Sequence, residues 1–251
     1  MIGSLARTGS FILAAMLAAT PASAQIVQSL QFGVGGFFPR NLDSRVAGDV
    51  WVANLNQPDV AGYPGTTASL SFDPDSFHGW TIFGEWNLGF RNRFELGVGA
   101  SYYSQTAHSF YRDLENSLRP THPDIEQDLK LRITPISVVG RFLPFGRPSD
   151  FQPYVGAGFS IMNFRYSEFG EFVDPETLVV FPDSYTATGT TVGPLILAGL
   201  RIPLKGDIYG LTFEGRYQWG AGDTGGAANN FLGDKIDLGG GSLNFGFLLR
   251  F

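Results

Sequence analysis

The sequence predicts an all-β protein: a closed, up-and-down antiparallel transmembrane β-barrel of about eight strands. Three observations lead there. Segments with apolar residues at every second position recur along the chain. The segments joining them alternate between long and very short. The polar residues of several strands fall together on one side with glycine, as expected of a narrow barrel lumen whose outer face meets lipid.

Taken in order, the chain opens with Arg7, an apolar run from Phe11 to Ala19, Pro21 and the small-residue exit Ala22-Ser23-Ala24 before Gln25. This is the pattern of a secretory signal peptide, and the apolar run is too short to span a bilayer. Cleavage after Ala24, with Ala22 and Ala24 as the recognised small residues, leaves 25–251 as a single domain. Losing Arg7 takes the formal charge from -6 to -7. An acidic balance without a basic stripe excludes a nucleic-acid partner. Cysteine is absent, so disulfides cannot hold the fold.

Eight strands follow: Leu30–Phe38, Trp80–Phe90, Phe94–Gln105, Leu129–Leu143, Pro153–Tyr166, Val192–Leu204, Tyr209–Trp219 and Ile236–Phe251. Most reach the roughly 9–11 residues that a tilted strand needs to cross a bilayer. The connections Pro39–Gly79, Thr106–Asp128, Ser167–Thr191 and Gly220–Lys235 are long, whereas Arg91–Arg93, Pro144–Gln152 and Lys205–Ile208 are short. Long loops at one end and tight turns at the other belong to a barrel whose ends face different compartments, with both termini on the short-turn, periplasmic side. Aromatics at strand ends (Phe38, Trp80, Phe90, Phe94, Tyr102, Tyr166, Tyr217, Trp219 and Phe251) match the two interfacial girdles.

In Trp80–Phe90 the outward set is Trp80, Ile82, Trp86, Leu88 and Phe90, leaving Glu85 inside; in Tyr209–Trp219, Glu214 and Arg216 face in. The strand Leu129–Leu143 breaks the rule, because Lys130 and Arg132 share a parity that Arg141 does not. A bulge at Thr134–Pro135 would return all three to the interior, since proline cannot donate to the ladder. The expected lumen charge network is therefore Glu85, Glu95, Arg132, Arg141, Arg201, Glu214 and Arg216, with Lys130 and Arg165 also inward. Such charges should pair, because an unpaired buried ion is costly.

The exit Ala22-Ser23-Ala24, PYVGAGFS from Pro153 to Ser160, FEGRYQW from Phe213 to Trp219 and the closing NFGFLLRF together resemble the small eight-stranded outer-membrane β-barrels, the group that contains OmpX, OmpW and the membrane domain of OmpA. The resemblance covers nearly the whole mature chain. It implies an outer-membrane location, contact with outer-membrane lipid and lipopolysaccharide, a monomer, and recognition of the last strand by the barrel-assembly machinery. In that reading Phe251 is the assembly signal, which explains why the alternation runs cleanly to the terminal residue.

Catalysis finds little support. His78, His108 and His122 all fall in long loops, and pairings such as His108-Ser109 or His122 with Asp124 rest on adjacency alone. The lipid-A-modifying barrel enzymes place His and Ser in arrangements that have no counterpart at matching positions here. The glycine clusters Gly33-Val34-Gly35-Gly36, Gly97-Val98-Gly99 and Gly156-Ala157-Gly158 lie inside strands, so they suit close packing and not a phosphate loop. Asp73, Asp75, Asp223 and Asp234 read as solvated loop surface, and no metal, cofactor or catalytic residue is expected. The expected function is a non-catalytic, structural or surface-contact role in the outer membrane. The alternatives are a narrow, porin-like OmpW-type channel for small solutes, hydrophobic ones included, and, third, a lipid-A-modifying enzyme.

Overall fold

The computed structural model describes residues 26–114, 125–174, 176–204 and 208–251. Eight antiparallel strands close into a ring: β1 Val27–Pro39, β2 Gly79–Phe90, β3 Phe94–Tyr111, β4 Glu126–Phe142, β5 Gln152–Val173, β6 Val180–Pro203, β7 Tyr209–Gln218 and β8 Gly240–Arg250. Sequential strands pair, and β1 closes on β8 from Ser29↔Arg250 to Pro39↔Gly240. Over the span in which all eight strands pair, closure leaves no open edge, which is the condition for a β-structure in lipid. The predicted signal peptide, with Ala22 and Ala24, lies outside the described residues.

All eight predicted strands are present, and four are longer than expected on the long-loop side. Most of the predicted loop Ser167–Thr191 is strand, turning only between Val173 and Val180. The predicted loop Thr106–Asp128 likewise begins as β3 and ends as β4. The β3 to β6 side of the barrel therefore stands taller than the rest. At the opposite end the connections are tight; the turn after β4 needs the left-handed conformation at Gly146 (φ 76°), which glycine adopts without strain.

Outward positions form an apolar belt, with Leu30, Phe32, Ile82, Val98, Val138, Phe159, Ile196, Phe213 and Phe245 all exposed. Aromatics flank it: Phe38, Trp80 and Tyr102 toward the long loops, and Phe90, Phe94 and Phe251 toward the tight turns, each exposed. Tyr217 and Trp219 pack edge to face near the first group, with ring centroids 4.6 Å apart. Tyr166 is not part of a girdle. It is fully buried inside the barrel, where its hydroxyl donates to Glu168.

The expected bulge in β4 is also absent. Register with β3 runs evenly through Phe94↔Phe142 and Phe110↔Glu126, and register with β5 is unbroken from Gln127↔Gly170 to Phe142↔Val155. Parity is therefore constant, so Lys130 and Arg132 face outward while Arg141 faces inward. Arg165, opposite Arg132 on β5, faces outward too. The physical reason is that the burial preference itself changes along the strand. In its membrane part β4 exposes Ile136, Val138 and Phe142, whereas in its extension it buries Leu129, Leu131 and Ile133. Above the membrane the barrel meets water, so apolar residues turn in and charges turn out, as in any soluble protein.

Candidate functional site

The lumen holds two stacked layers. The lower, in the half nearer the tight turns, is a charge network drawn from six strands. Arg141 Nη2 lies 2.6 Å from Glu85 and 3.0 Å from Glu214, and its Nη1 donates to Asn87 at 2.7 Å. Arg216 pairs with Glu85 at 2.7 Å and also with Glu214. Tyr154 donates its hydroxyl to Glu214 at 2.9 Å. Arg201 pairs with Glu95 and lies 4.9 Å from the centre of the Tyr154 ring. Each of the four carboxylate or guanidinium groups centred on Arg141 thus has an opposite charge, the condition under which buried ions are tolerated.

Glycine makes room for this network. A Cβ at Gly97 would come within 2.5 Å of Arg141 Nη1, 2.8 Å of Asn87 Oδ1 and 3.0 Å of Glu85 Oε1. The glycine clusters of β1, β3 and β5 therefore serve close interior approach, as their position inside strands implied. Of the charges expected in the lumen, Glu85, Glu95, Arg141, Arg201, Glu214 and Arg216 meet there; Arg132 does not, and neither do Lys130 and Arg165.

Above the charges lies a small cavity of 40 Å³ lined by Thr81, Ser101, Ser137, Ser160, Gln218 and Asn244, by Arg216 of the network below and by apolar side chains. That volume holds about three waters at the roughly 10–15 Å³ each requires. Ser160 Oγ and Asn244 Oδ1 are enclosed without a protein partner and are suited to such waters.

The upper layer is an apolar plug. Inward residues of the strand extensions, among them Tyr103, Leu129, Ile133, Met162 and Phe164, pack with loop residues Trp51, Phe77, Phe231 and Ile236 in one continuous core. The loop Arg40–His78 contains a short helix, α1 (Val50–Leu55), started by Asp49, whose carboxylate accepts from the amides of Trp51 and Val52. Trp51 stacks on Phe77 at 3.9 Å, and the Arg45 guanidinium sits 3.7 Å from the Trp51 ring.

This first loop is braced against the last. Asp49 accepts from the Asp237 amide at 2.7 Å, Arg45 Nη2 donates to the Asp237 carbonyl at 3.0 Å, and Arg40 pairs with Asp237 at 3.1 Å. The segments Ala221–Asp223 and Lys235–Asp237 pair as a two-stranded sheet that holds Asp237 in place. Apart from Ile236 and Asp237, which the expected strand Ile236–Phe251 included although β8 begins only at Gly240, the alternation singled out none of these cap residues, because they lie where it stops. The signal available was local: an aspartate followed by VWVANL is a capped, mostly apolar turn of helix.

Glu168 links the cap to the wall. It lies on β5 above the membrane part of that strand, is buried, and accepts from Asn54 of α1 at 2.7 Å and from Tyr166 at 2.8 Å. Burial pushes its carboxyl above the ordinary range, and the two hydrogen bonds only partly oppose this. Its titratable neighbours are Tyr111, Tyr166 and Tyr185. A raised folded pKa means that the folded cap holds the proton more tightly than the unfolded chain does. Stability is then greatest below the unfolded value and is lost as pH rises through it toward the folded one. Glu168→Gln is expected to flatten this dependence and leave the cap more stable at neutral pH, as read by protection of loop 40–78 from protease in acid and at neutrality.

The remaining sequence candidates do not converge. His108 contacts Asp128 across the outer face of β3 and β4, while Ser109 points inward and bonds Gln127 at 3.0 Å. His78 lies 3.4 Å from Asp75 in the first loop, where Asp73 accepts from the Asp75 amide. Asp223 and Asp234 sit in the last loop, Asp223 accepting from the Gly225 amide at 2.7 Å. His122 and Asp124 lie outside the described residues. Phe251 closes the ring, its amide donating to Gln28 O at 3.0 Å and its carbonyl accepting from Gln28 N at 3.3 Å.

No protein-family profile matches the chain, and no curated protein matches it. Among solved structures it is similar to the outer membrane protein OprG from Pseudomonas aeruginosa, at 12% identity and a TM-score of 0.50, over 91% of this chain and 97% of that one. It is also similar to Ail, the attachment invasion locus protein of Yersinia pestis (13%, TM-score 0.39, 90% and 99%). A third likeness is to the outer membrane protease OmpT from Escherichia coli (10%, TM-score 0.39, 93% and 97%). The ring of eight antiparallel strands, the apolar belt and the likeness to OprG lead to one conclusion: the chain has the fold of the small eight-stranded outer-membrane β-barrels.

Proposed function

We propose that the protein is a non-conducting, non-catalytic surface barrel that presents a fixed extracellular crown for contact. One observation carries the reading: the lumen is closed twice, by paired charges below and by an apolar plug above. Ion passage requires a continuous wet path, and a dry constriction alone is a barrier to ions. The 40 Å³ cavity lies between the two closures. The cap favours recognition because its two loops are cross-braced by Asp49, Arg45 and Asp237, so that a partner would meet a surface with little ordering entropy left to lose. The place of Phe251 at the closing seam agrees with a role as the assembly signal.

Planar-bilayer recording on the refolded mature chain tests the reading, with a heat-modifiability gel confirming that the barrel has formed. The expected result is a folded barrel with no discrete conductance steps. Reproducible channels would instead support a narrow channel for small solutes. Hydrolysis or acyl transfer from lipid A by the folded protein would support the enzymatic alternative.

A further inference from the structure

On the outer wall, at the foot of the tall side, three cations stand together. Lys130 and Arg132 project from β4 and Arg165 from β5, around an open groove of about 290 Å³ shared with Ser167 and Thr186. Register places them in successive rungs: Ile136↔Ile161↔Val192 is the last fully apolar rung, Thr134↔Asn163↔Thr190 the next, then Arg132↔Arg165↔Thr188, then Lys130↔Ser167↔Thr186. Arg132 and Arg165 are direct cross-strand partners, a like-charge pairing that is unfavourable unless an anion lies between them.

Among the described residues, none of the three forms an ion pair with the protein. Arg132 Nε is enclosed without any partner. The outward acids of the same strands, Glu126, Asp128 and Glu171, lie further from the membrane by register, and Asp128 is already held by His108. A net-acidic chain thus leaves a concentrated, unneutralised basic patch at one height on its exterior.

That height is informative. Four residues of strand separate Ile136 from Arg132, roughly 13 Å along the strand at the usual rise and less in height after tilt. Long basic side chains reach back toward the interface, and the Arg132 guanidinium does lie toward the girdle, 6.0 Å from the Tyr102 ring one rung below. The cations therefore sit at headgroup level, directly above an apolar strip made by Ile136, Ile161 and Val192.

We propose that Lys130, Arg132 and Arg165 form a binding site for the phosphate groups of an outer-leaflet glycolipid whose acyl chains lie on the strip below. Two guanidinium groups facing one another present forked donors suited to phosphate oxygens. A lipid satisfies both the cations and the apolar strip, whereas a soluble anion satisfies only the cations. The site stands whether or not the lumen conducts, because it lies wholly on the outer wall.

Native mass spectrometry of the refolded mature chain in detergent tests this with three probes: diphosphorylated lipid A, the same lipid stripped of phosphate, and inorganic phosphate. The wild-type chain is expected to retain the phosphorylated lipid about tenfold better than the stripped one, in line with charge-assisted hydrogen bonds. The variant K130Q/R132Q/R165Q should lose that discrimination, while R132K/R165K, which keeps the charges, should retain most of it. Equal retention of the two lipids by the wild-type chain overturns the proposal and needs no variant to be folded. Displacement of the lipid by inorganic phosphate at equal concentration also overturns it, since the site would then recognise a soluble anion.

Discussion

Replacing Arg141 by alanine is expected to destabilise the folded barrel by about 3–5 kcal/mol, the cost of stranding a buried opposite charge. The effect is large because one guanidinium serves Glu85, Glu214 and Asn87 together, and Arg216 alone cannot neutralise both carboxylates. Urea unfolding of the refolded protein, followed by tryptophan fluorescence and by the heat-modifiability shift, measures it. The double change R141M/E214Q should recover much of the loss, because it removes the charge that the single change leaves alone and Tyr154 can still donate to the new amide. A cost below about 1 kcal/mol for R141A would place the network in a screened, water-rich environment. The single variant is expected to stay electrically silent, since the apolar plug is a separate closure.

The second large effect concerns that plug. Trp51→Ala should cost the cap about 3–5 kcal/mol, as for other fully buried aromatic side chains. Trp51 is entirely enclosed, stacks on Phe77 and carries the Arg45 guanidinium on its face. The six-residue α1 cannot persist without such packing, because isolated helices of that length do not form in water. The expected result is local: loop 40–78 becomes a protease target, while the eight strands keep their resistance to denaturation by detergent at room temperature. Protease resistance equal to that of the parent protein would mean that the Asp49, Arg45 and Asp237 brace holds the cap unaided.

The strand order, the closed ring and the alternation of long and short connections were all legible in the sequence, because lipid on one side and a narrow lumen on the other enforce a period of two. Within the membrane the same rule placed Glu85, Glu95, Arg141, Arg201, Glu214 and Arg216 correctly on the inner face. It failed for Lys130, Arg132, Arg165 and Tyr166, and in each case for one reason. A rule that sends polar residues inward holds only where lipid lies outside, and these four stand above that level. The apparent register flip in β4 was the trace of this change: Leu129, Leu131 and Ile133 share a parity opposite to Ile136, Val138 and Phe142. β5 shows it again, with Val155, Phe159 and Ile161 outward but Met162, Phe164 and Tyr166 inward. The cap was illegible for a different reason, since its contacts join loops distant in sequence and follow no period.

The unbroken strands that carry this reversal also set how deep the protein rides. A slide of the barrel toward the periplasm by two rungs would draw Arg132, Arg165 and then Lys130 into hydrocarbon, at about 2–4 kcal/mol for each cation that reached the midplane. A slide the other way would lift Ile136, Ile161 and Val192 into water, with a loss of roughly 25 cal/mol for every Å² uncovered. The vertical position is thus held from both directions by neighbouring residues of β4 and β5, with Val192 of β6 beside them. Because, among the described residues, only the tall side carries this stop, the bilayer meets one flank of the barrel at a sharply defined level and the other at a looser one, and local thickness strain will be felt unequally around the circumference.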